Sequence, residues 1–209
     1  METIKQYKPY IIFSSFIIGG LLIFALISQG FYPIATVNGT IITAHDFWQK
    51  YQTDSAYYQN YAKSLEAAQV AEEVDPPTAD DFKISALTQL VENIIISEGA
   101  EKELGNDLEA LVENKLSKVP QDDKFKNGVQ AAYGANFSDF LDNFMVPLAK
   151  QEILEGRLFL KGEDFDEWFL KAKSEAKVKI FSGEYIWDGQ QVQISNWAGK
   201  LVKKATTEL

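Results

Sequence analysis

Cysteine is absent from this chain, and histidine occurs once, at His45. The first absence excludes disulfides, thiol catalysis, thiolate metal sites and lipoprotein processing. The second leaves no paired histidines for a metal or a dyad. No H-x-x-x-H or D-x-D-x-D-G spacing occurs, and there is no phosphate loop, G-x-G-x-x-G or G-x-S-x-G. His45 stands between Ala44 and Asp46 at an expected helix start, with no nucleophile placed beside it, and reads as a solvated residue. The acid pairs Asp80-Asp81, Asp122-Asp123 and Glu72-Glu73 fall in connectors or at helix ends. There they suit solvent or the helix dipole better than a glycosidase pair. The sequence thus presents no catalytic residue, no cofactor-binding residue and no metal ligand set.

Basic residues are also scarce, 20 against 30 acidic, for a net charge of −10. That argues against a nucleic-acid face and predicts solubility and repulsion from anionic lipid. Apolar residues are not scarce. Tyr10–Ile27 is a run without a charge, preceded by Lys5 and Lys8 and followed by no charge before Asp46. Eighteen helical residues cover about 27 Å, close to the hydrocarbon core of a bilayer. The run is longer than a signal-peptide core, and Ser28-Gln29-Gly30 makes a poor cleavage site. It reads as a retained single-pass anchor. The lysines place the N-terminus in the cytoplasm and the rest across the membrane. With no ionisable residue, the span is no ion path. The expected divisions are residues 1–9 in the cytoplasm, 10–27 in the membrane, 28–195 as one domain and 196–209 as a tail.

Within that domain, Ile34–Thr43 reads as a short hairpin around Asn38-Gly39, the pair preferred for a type I′ turn. Asn38-Gly-Thr40 and Asn136-Phe-Ser138 also match glycosylation sequons, though the turn explains the first better. Thr43 with Asp46 resembles a capping box and opens a helix to about Glu73, bearing Phe47, Tyr51, Tyr58, Ala62 and Leu65 with Trp48, Tyr57 and Tyr61 beside them. The connector Val74–Asp81 leads to a helix over Phe82–Leu104, apolar on a wide face and so expected to be central and buried. Further helices follow at Leu108–Val119 and Phe125–Tyr133. Another is expected to be capped by Ser138 and kinked at Pro147, and a last one by Asp164. After Ala176 the pattern alternates. Val178–Phe181 is the expected third strand for the hairpin, and Tyr185–Ile194 a further pair around Asp188-Gly189. The tail Asn196–Leu209 is weakly amphipathic.

The order of these segments resembles a known group. An anchor precedes Val37-Asn38-Gly39, Ile42-Thr43 and Phe47. Then come Leu90-Val91-Glu92 and Ala100–Gly105, Phe125 with Tyr133-Gly134, Phe137 and Phe140, and finally Ile153-Leu154 and Trp168 to Val178. Over about residues 34–181 this is similar to the N-terminal chaperone domain of the SurA/PrsA/PpiD exported foldases. The resemblance implies a mainly α-helical domain closed by a small antiparallel β element, an apolar crevice for unfolded exported polypeptides, and no cofactor or metal. Relatives carry a parvulin isomerase domain after the helical core. Here the corresponding segment, Arg157–Asp164, has eight residues, and parvulin sites resemble one another in paired histidines that this chain lacks. No isomerase activity is therefore expected.

The leading expectation is a membrane-anchored, extracytoplasmic holdase without enzymatic activity. Aromatic and methionine side chains supply adaptable apolar contact, which makes Tyr51, Tyr58, Tyr61, Phe140, Phe144 and Met145 the client-binding candidates. The alternatives are a non-catalytic assembly subunit holding one envelope partner, an accessory to an isomerase, and an isomerase without recognisable motifs. A deep pocket joining His45 to a perturbed carboxylate would favour the last.

Overall fold

The computed structural model describes residues 2–67 and 76–195, with side chains from Phe13 onward. Helix α1, Glu2–Ser28, contains the charge-free run. Its described apolar side chains, Phe13, Phe16, Leu21 and Phe24 among them, are all exposed. Among the described residues no helix is long and apolar enough to cross a membrane. The stretch with described side chains, Phe13–Ser28, amounts to about 24 Å of helix. A membrane span therefore rests on the sequence alone.

Beyond Gly30, which takes φ +80°, the chain is fastened to the next helix. The Gly30 and Tyr32 carbonyls accept from the backbone amides of His45 and Ala44 at 2.8 and 3.0 Å. The His45 ring stacks on Phe31 at 4.9 Å. His45 thus belongs to the joint between α1 and the domain.

Strands β1, Pro33–Val37, and β2, Thr40–Thr43, form the expected hairpin. Asn38 and Gly39 take positive φ, +52° and +103°, as a type I′ turn requires. The Thr43–Asp46 capping box is present: Asp46 Oδ2 accepts from the Thr43 amide at 3.1 Å, and Thr43 Oγ1 accepts from the Asp46 amide at 3.2 Å. It opens α2, Ala44–Ala67. The expected continuation to Glu73 and the first two residues of the connector, Val74 and Asp75, lie outside the described residues. Thr78 and Asp81 form a second capping box that starts α3, Ala79–Leu104, three residues earlier than the apolar pattern suggested.

Helix α3 is the central element. Its N-terminal half joins the sheet in a core of Ala35, Val37, Ile42, Phe47, Leu87, Val91, Ile95 and Val192. Its C-terminal half builds a second core with Leu108, Val112, Ala149, Leu154 and Leu158. These come from α4, Asp107–Leu116, and α7, Val146–Leu160. Between them lie α5, Asp123–Tyr133, and a short α6, Phe137–Phe140. Asn136, not Ser138, caps α6: its Oδ1 accepts from the Asp139 amide at 2.9 Å. Asparagine outranks serine only slightly as a cap, so residue type alone could not decide between neighbours.

The expected kink at Pro147 takes another form. Leu141–Met145 is a single π-helical turn, in which the Val146 amide donates to the Leu141 carbonyl. Proline cannot donate and clashes with the carbonyl four residues back. Widening the preceding turn absorbs that misfit. Asp164 caps α8, Phe165–Glu175, by accepting from the Glu167 amide at 3.0 Å. Strand β3, Val178–Ile180, then pairs antiparallel with β1, giving the order β2-β1-β3. A separate hairpin, β4 Tyr185–Trp187 and β5 Val192–Ile194, docks on α3 through the Val192 amide to Thr88 Oγ1 at 3.0 Å. The tail 196–209 lies outside the described residues.

Candidate functional site

Helix α2 bears rings on two faces. Phe47, Tyr51 and Tyr58 turn toward α3, and the Tyr58 ring meets Phe82 edge-on at 5.5 Å. Lys50, Asp54, Tyr57 and Tyr61 follow at helical spacing and turn toward α5 and the π turn. There Tyr57 stacks on Tyr61 at 6.2 Å and on Tyr133 at 4.8 Å. Tyr133 touches Phe140 and Phe144 at 5.0 and 5.1 Å. Phe125 and Phe137 extend the chain of rings beyond Phe140 at 6.4 and 6.5 Å. Asn60 Nδ2 ties α2 to the last turn of α5 by donating to the Ala131 and Ala132 carbonyls at 2.9 and 3.1 Å. Gly134, φ +66°, ends α5 where a Cβ would stand 3.4 Å from Ala56.

The client-binding candidates from the sequence therefore divide. Tyr61, Phe140 and Phe144 share the α5 side, Met145 ends the π turn, and Tyr51 and Tyr58 sit in the α2–α3 contact. Phe140 is 6% exposed and lies at the centre of the rings. Tyr51, Tyr58, Phe144 and Met145 are half-buried, and Tyr61 is exposed. Tyr57 and Tyr133 escaped the selection. An i,i+4 tyrosine pair beside the Lys50–Asp54 spacing was the available signal for Tyr57. Tyr133 carried only its place before a helix-ending glycine.

Beneath the rings lies a buried ion pair. Lys50 Nζ is 2.6 Å from Asp54 Oδ1 and 4.3 Å from the Phe144 ring centre. Asp54 Oδ2 is buried without a hydrogen-bond partner. Burial pushes the Asp54 carboxyl above its ordinary range, and the Lys50 charge offsets only part of that rise. Burial also raises the Tyr133 hydroxyl, helped by Tyr57 and Asp54.

Near the start of α2 a second apolar surface opens. Tyr32, Phe47, Trp48, Leu87, Phe181 and Tyr185 line a cleft of about 490 Å³ with two charges, Lys83 and Glu184, among its residues. Burial raises the Tyr185 hydroxyl, while Lys83 pulls it down. The cleft joins four chain segments spread from Tyr32 to Tyr185, so no local pattern announced it. Trp48 connects it to Tyr51 by an edge contact at 5.5 Å. His45 meets no perturbed carboxylate in either place. Among the described residues no group of three potential ligands could hold a metal ion.

Residues 1–133, from α1 through α5, match the model of the SurA-like N-terminal domain. The chain belongs to that family. None of the curated proteins and none of the solved structures matches it. The SurA-like match contains all of α2 and both faces of rings it carries, with Tyr133 as its last residue. The π turn, α7, α8 and the closing strands lie beyond it.

Proposed function

We propose that this SurA-like chain is a membrane-anchored extracytoplasmic holdase that binds unfolded or nascent exported polypeptides through α2 and has no isomerase activity. One observation carries the reading. Helix α2 presents Trp48, Tyr57 and Tyr61 to solvent, 46%, 43% and 51% exposed, over supporting rings that are buried or half-buried. The cleft beside Trp48 can take bulky side chains, and the tyrosine face offers a flatter platform. Aromatic rings dominate both surfaces, so contact is mainly apolar and tolerant of sequence. Ordering a flexible client costs entropy at binding, which keeps affinity modest. The anchor in this reading is the Tyr10–Ile27 run, with the N-terminus in the cytoplasm.

The test uses the full-length chain in lipid nanodiscs. It should suppress aggregation of an unfolded model protein without ATP, and added salt should weaken that little, since apolar contact is not screened. Trp48→Ser with Tyr57→Ser and Tyr61→Ser should reduce holding while melting stays cooperative. Unchanged holding would move the client surface off α2. A chain that never suppresses aggregation would transfer the reading to an assembly subunit. Acceleration of prolyl isomerisation in proportion to protein concentration would contradict the non-enzymatic reading. Cysteines placed at Thr3 and Ser195 should differ in labelling by an impermeant reagent on intact cells, with only the Ser195 site reached.

A further inference from the structure

The most exposed large apolar side chains among the described residues lie far from α2. Phe159 and Leu160, 80% and 79% exposed, end helix α7. The turn after them is fastened on both sides. The Gly162 and Glu163 amides donate to the Phe159 and Leu158 carbonyls, each at 3.0 Å. Lys161 pairs with Glu103 of α3. Gly162 takes φ +76°, and Asp164 caps the next helix at once. The apolar pair is thus displayed by a fixed elbow.

Phe159 and Phe165 share a cleft of about 400 Å³ at this elbow with Gly156 and five carboxylates. No lysine or arginine lines it. Glu152 is paired with Lys115, and Asp164 is spent on its cap. Glu155, Glu163 and Asp166 have no ion-pair partner among the described residues. Gly156 stands inside α7 without a positive φ, and nothing lies within 4 Å of where its Cβ would be. Neither backbone conformation nor internal packing requires a glycine there, and a helix-interior glycine is unfavourable relative to alanine. What its bare backbone provides is room on the cleft side.

We propose that this elbow docks a cationic, apolar segment of a partner protein. A bulky apolar side chain enters beside Phe159 and Phe165 over Gly156. Flanking lysine or arginine residues meet Glu155, Glu163 and Asp166. A second copy of this chain is a poor occupant, because the net charge of −10 brings like charge to an already acidic rim. The site is separate from α2 and has the opposite salt response: apolar holding persists in salt, whereas this contact is screened.

The probe is a labelled hexapeptide with two lysines on either side of a Leu-Phe pair. Its binding to the full-length chain, in nanodiscs of zwitterionic lipid, is followed by anisotropy. Glutamates in place of the lysines, or serines in place of Leu-Phe, should abolish binding. Phe159→Ser, Asp166→Lys and Gly156→Leu should each weaken it tenfold or more, with holding of unfolded protein unchanged. Phe159 and Asp166 are exposed, so those two variants test the surface without disturbing the core. Glu109→Lys, at an exposed position of α4, is the control and should have no effect. Unchanged affinity in the three elbow variants would overturn the proposal, as would an equal loss in Glu109→Lys. So would parallel loss of holding, or binding that appears only after removal of 196–209, which would make the chain's own tail the occupant.

Discussion

The ion pair under the tyrosine face makes a quantitative test. The Lys50 side chain is 3% exposed and that of Asp54 15%. Removing one partner strands a buried charge, at a cost of about 3–5 kcal/mol. Asp54→Ala should therefore lower Tm by about 10 °C, at about 2–4 °C per kcal/mol for a domain of this size. Replacing both partners removes the desolvation penalty along with the attraction. Lys50→Met keeps a soft contact over the Phe144 ring, and Asp54→Leu fills the same volume without the unpartnered Oδ2. The double variant should match the parent or exceed it by about 1–4 kcal/mol. The pH dependence has a definite sign. Because the folded carboxyl is raised above 3.8, the folded state keeps a proton that the unfolded chain has lost. The parent loses stability as pH rises from that ordinary value through the raised one, and is level above it. The double variant lacks this fall. Denaturant midpoints across that range read both effects. A double variant as unstable as Asp54→Ala would refute the argument, and so would a parent whose Asp54-dependent stability increases through the window.

Three further outcomes follow from the packing. Phe140→Ala, at the centre of the ring cluster, should cost about 3–5 kcal/mol, whereas Tyr61→Ser should leave thermal melting near the parent's. A Cβ at Gly99 would lie 2.4 Å from Cζ2 of Trp168, so Gly99→Ala should cost about 1–3 kcal/mol by overpacking, read from denaturant midpoints. Backbone hydrogen bonds from Gln190 and Gln191 hold the Asp188 carboxyl below its ordinary value. Its contribution to the β4–β5 loop is present above the ordinary value of 3.8 and is lost as pH falls below it. Amide exchange at Gln190 and Gln191 should accelerate there, and Asp188→Ala should remove the pH dependence.

Local chemistry wrote most of this fold into the sequence. Asn38-Gly39, Thr43 with Asp46, and Asp164 with Glu167 each act within four residues, so turn and caps could be read without tertiary knowledge. The third strand was legible because a lone hairpin is marginal in water. What escaped depended on distant contacts. The π turn answers a proline two residues beyond it. The tyrosine face needed α5 folded back on α2. Both sequon asparagines make side-chain contacts: Asn38 Nδ2 donates to Glu98 at 2.6 Å and Asn136 Nδ2 to Asp139 at 2.7 Å. Of the six candidate residues Tyr61 alone is exposed, because an aromatic stripe on one helix does not say which neighbour will cover it.

The hairpin tip imposes an order of assembly. Asn38 accepts from the Lys177 amide at 2.8 Å across 139 residues, and its own amide donates to the Lys177 carbonyl at 3.1 Å. Strand β1 consequently waits for nearly the whole domain before its second neighbour arrives. In a chain delivered from its N-terminus, β1 stays an unprotected edge until β3 emerges, and contacts of such separation form slowly. A fragment ending at Tyr133 keeps that edge open permanently and is exposed to strand-pairing aggregation. Completion of this domain is thus governed by its last fifth, although the exposed rings of α2 stand in the first third of the chain.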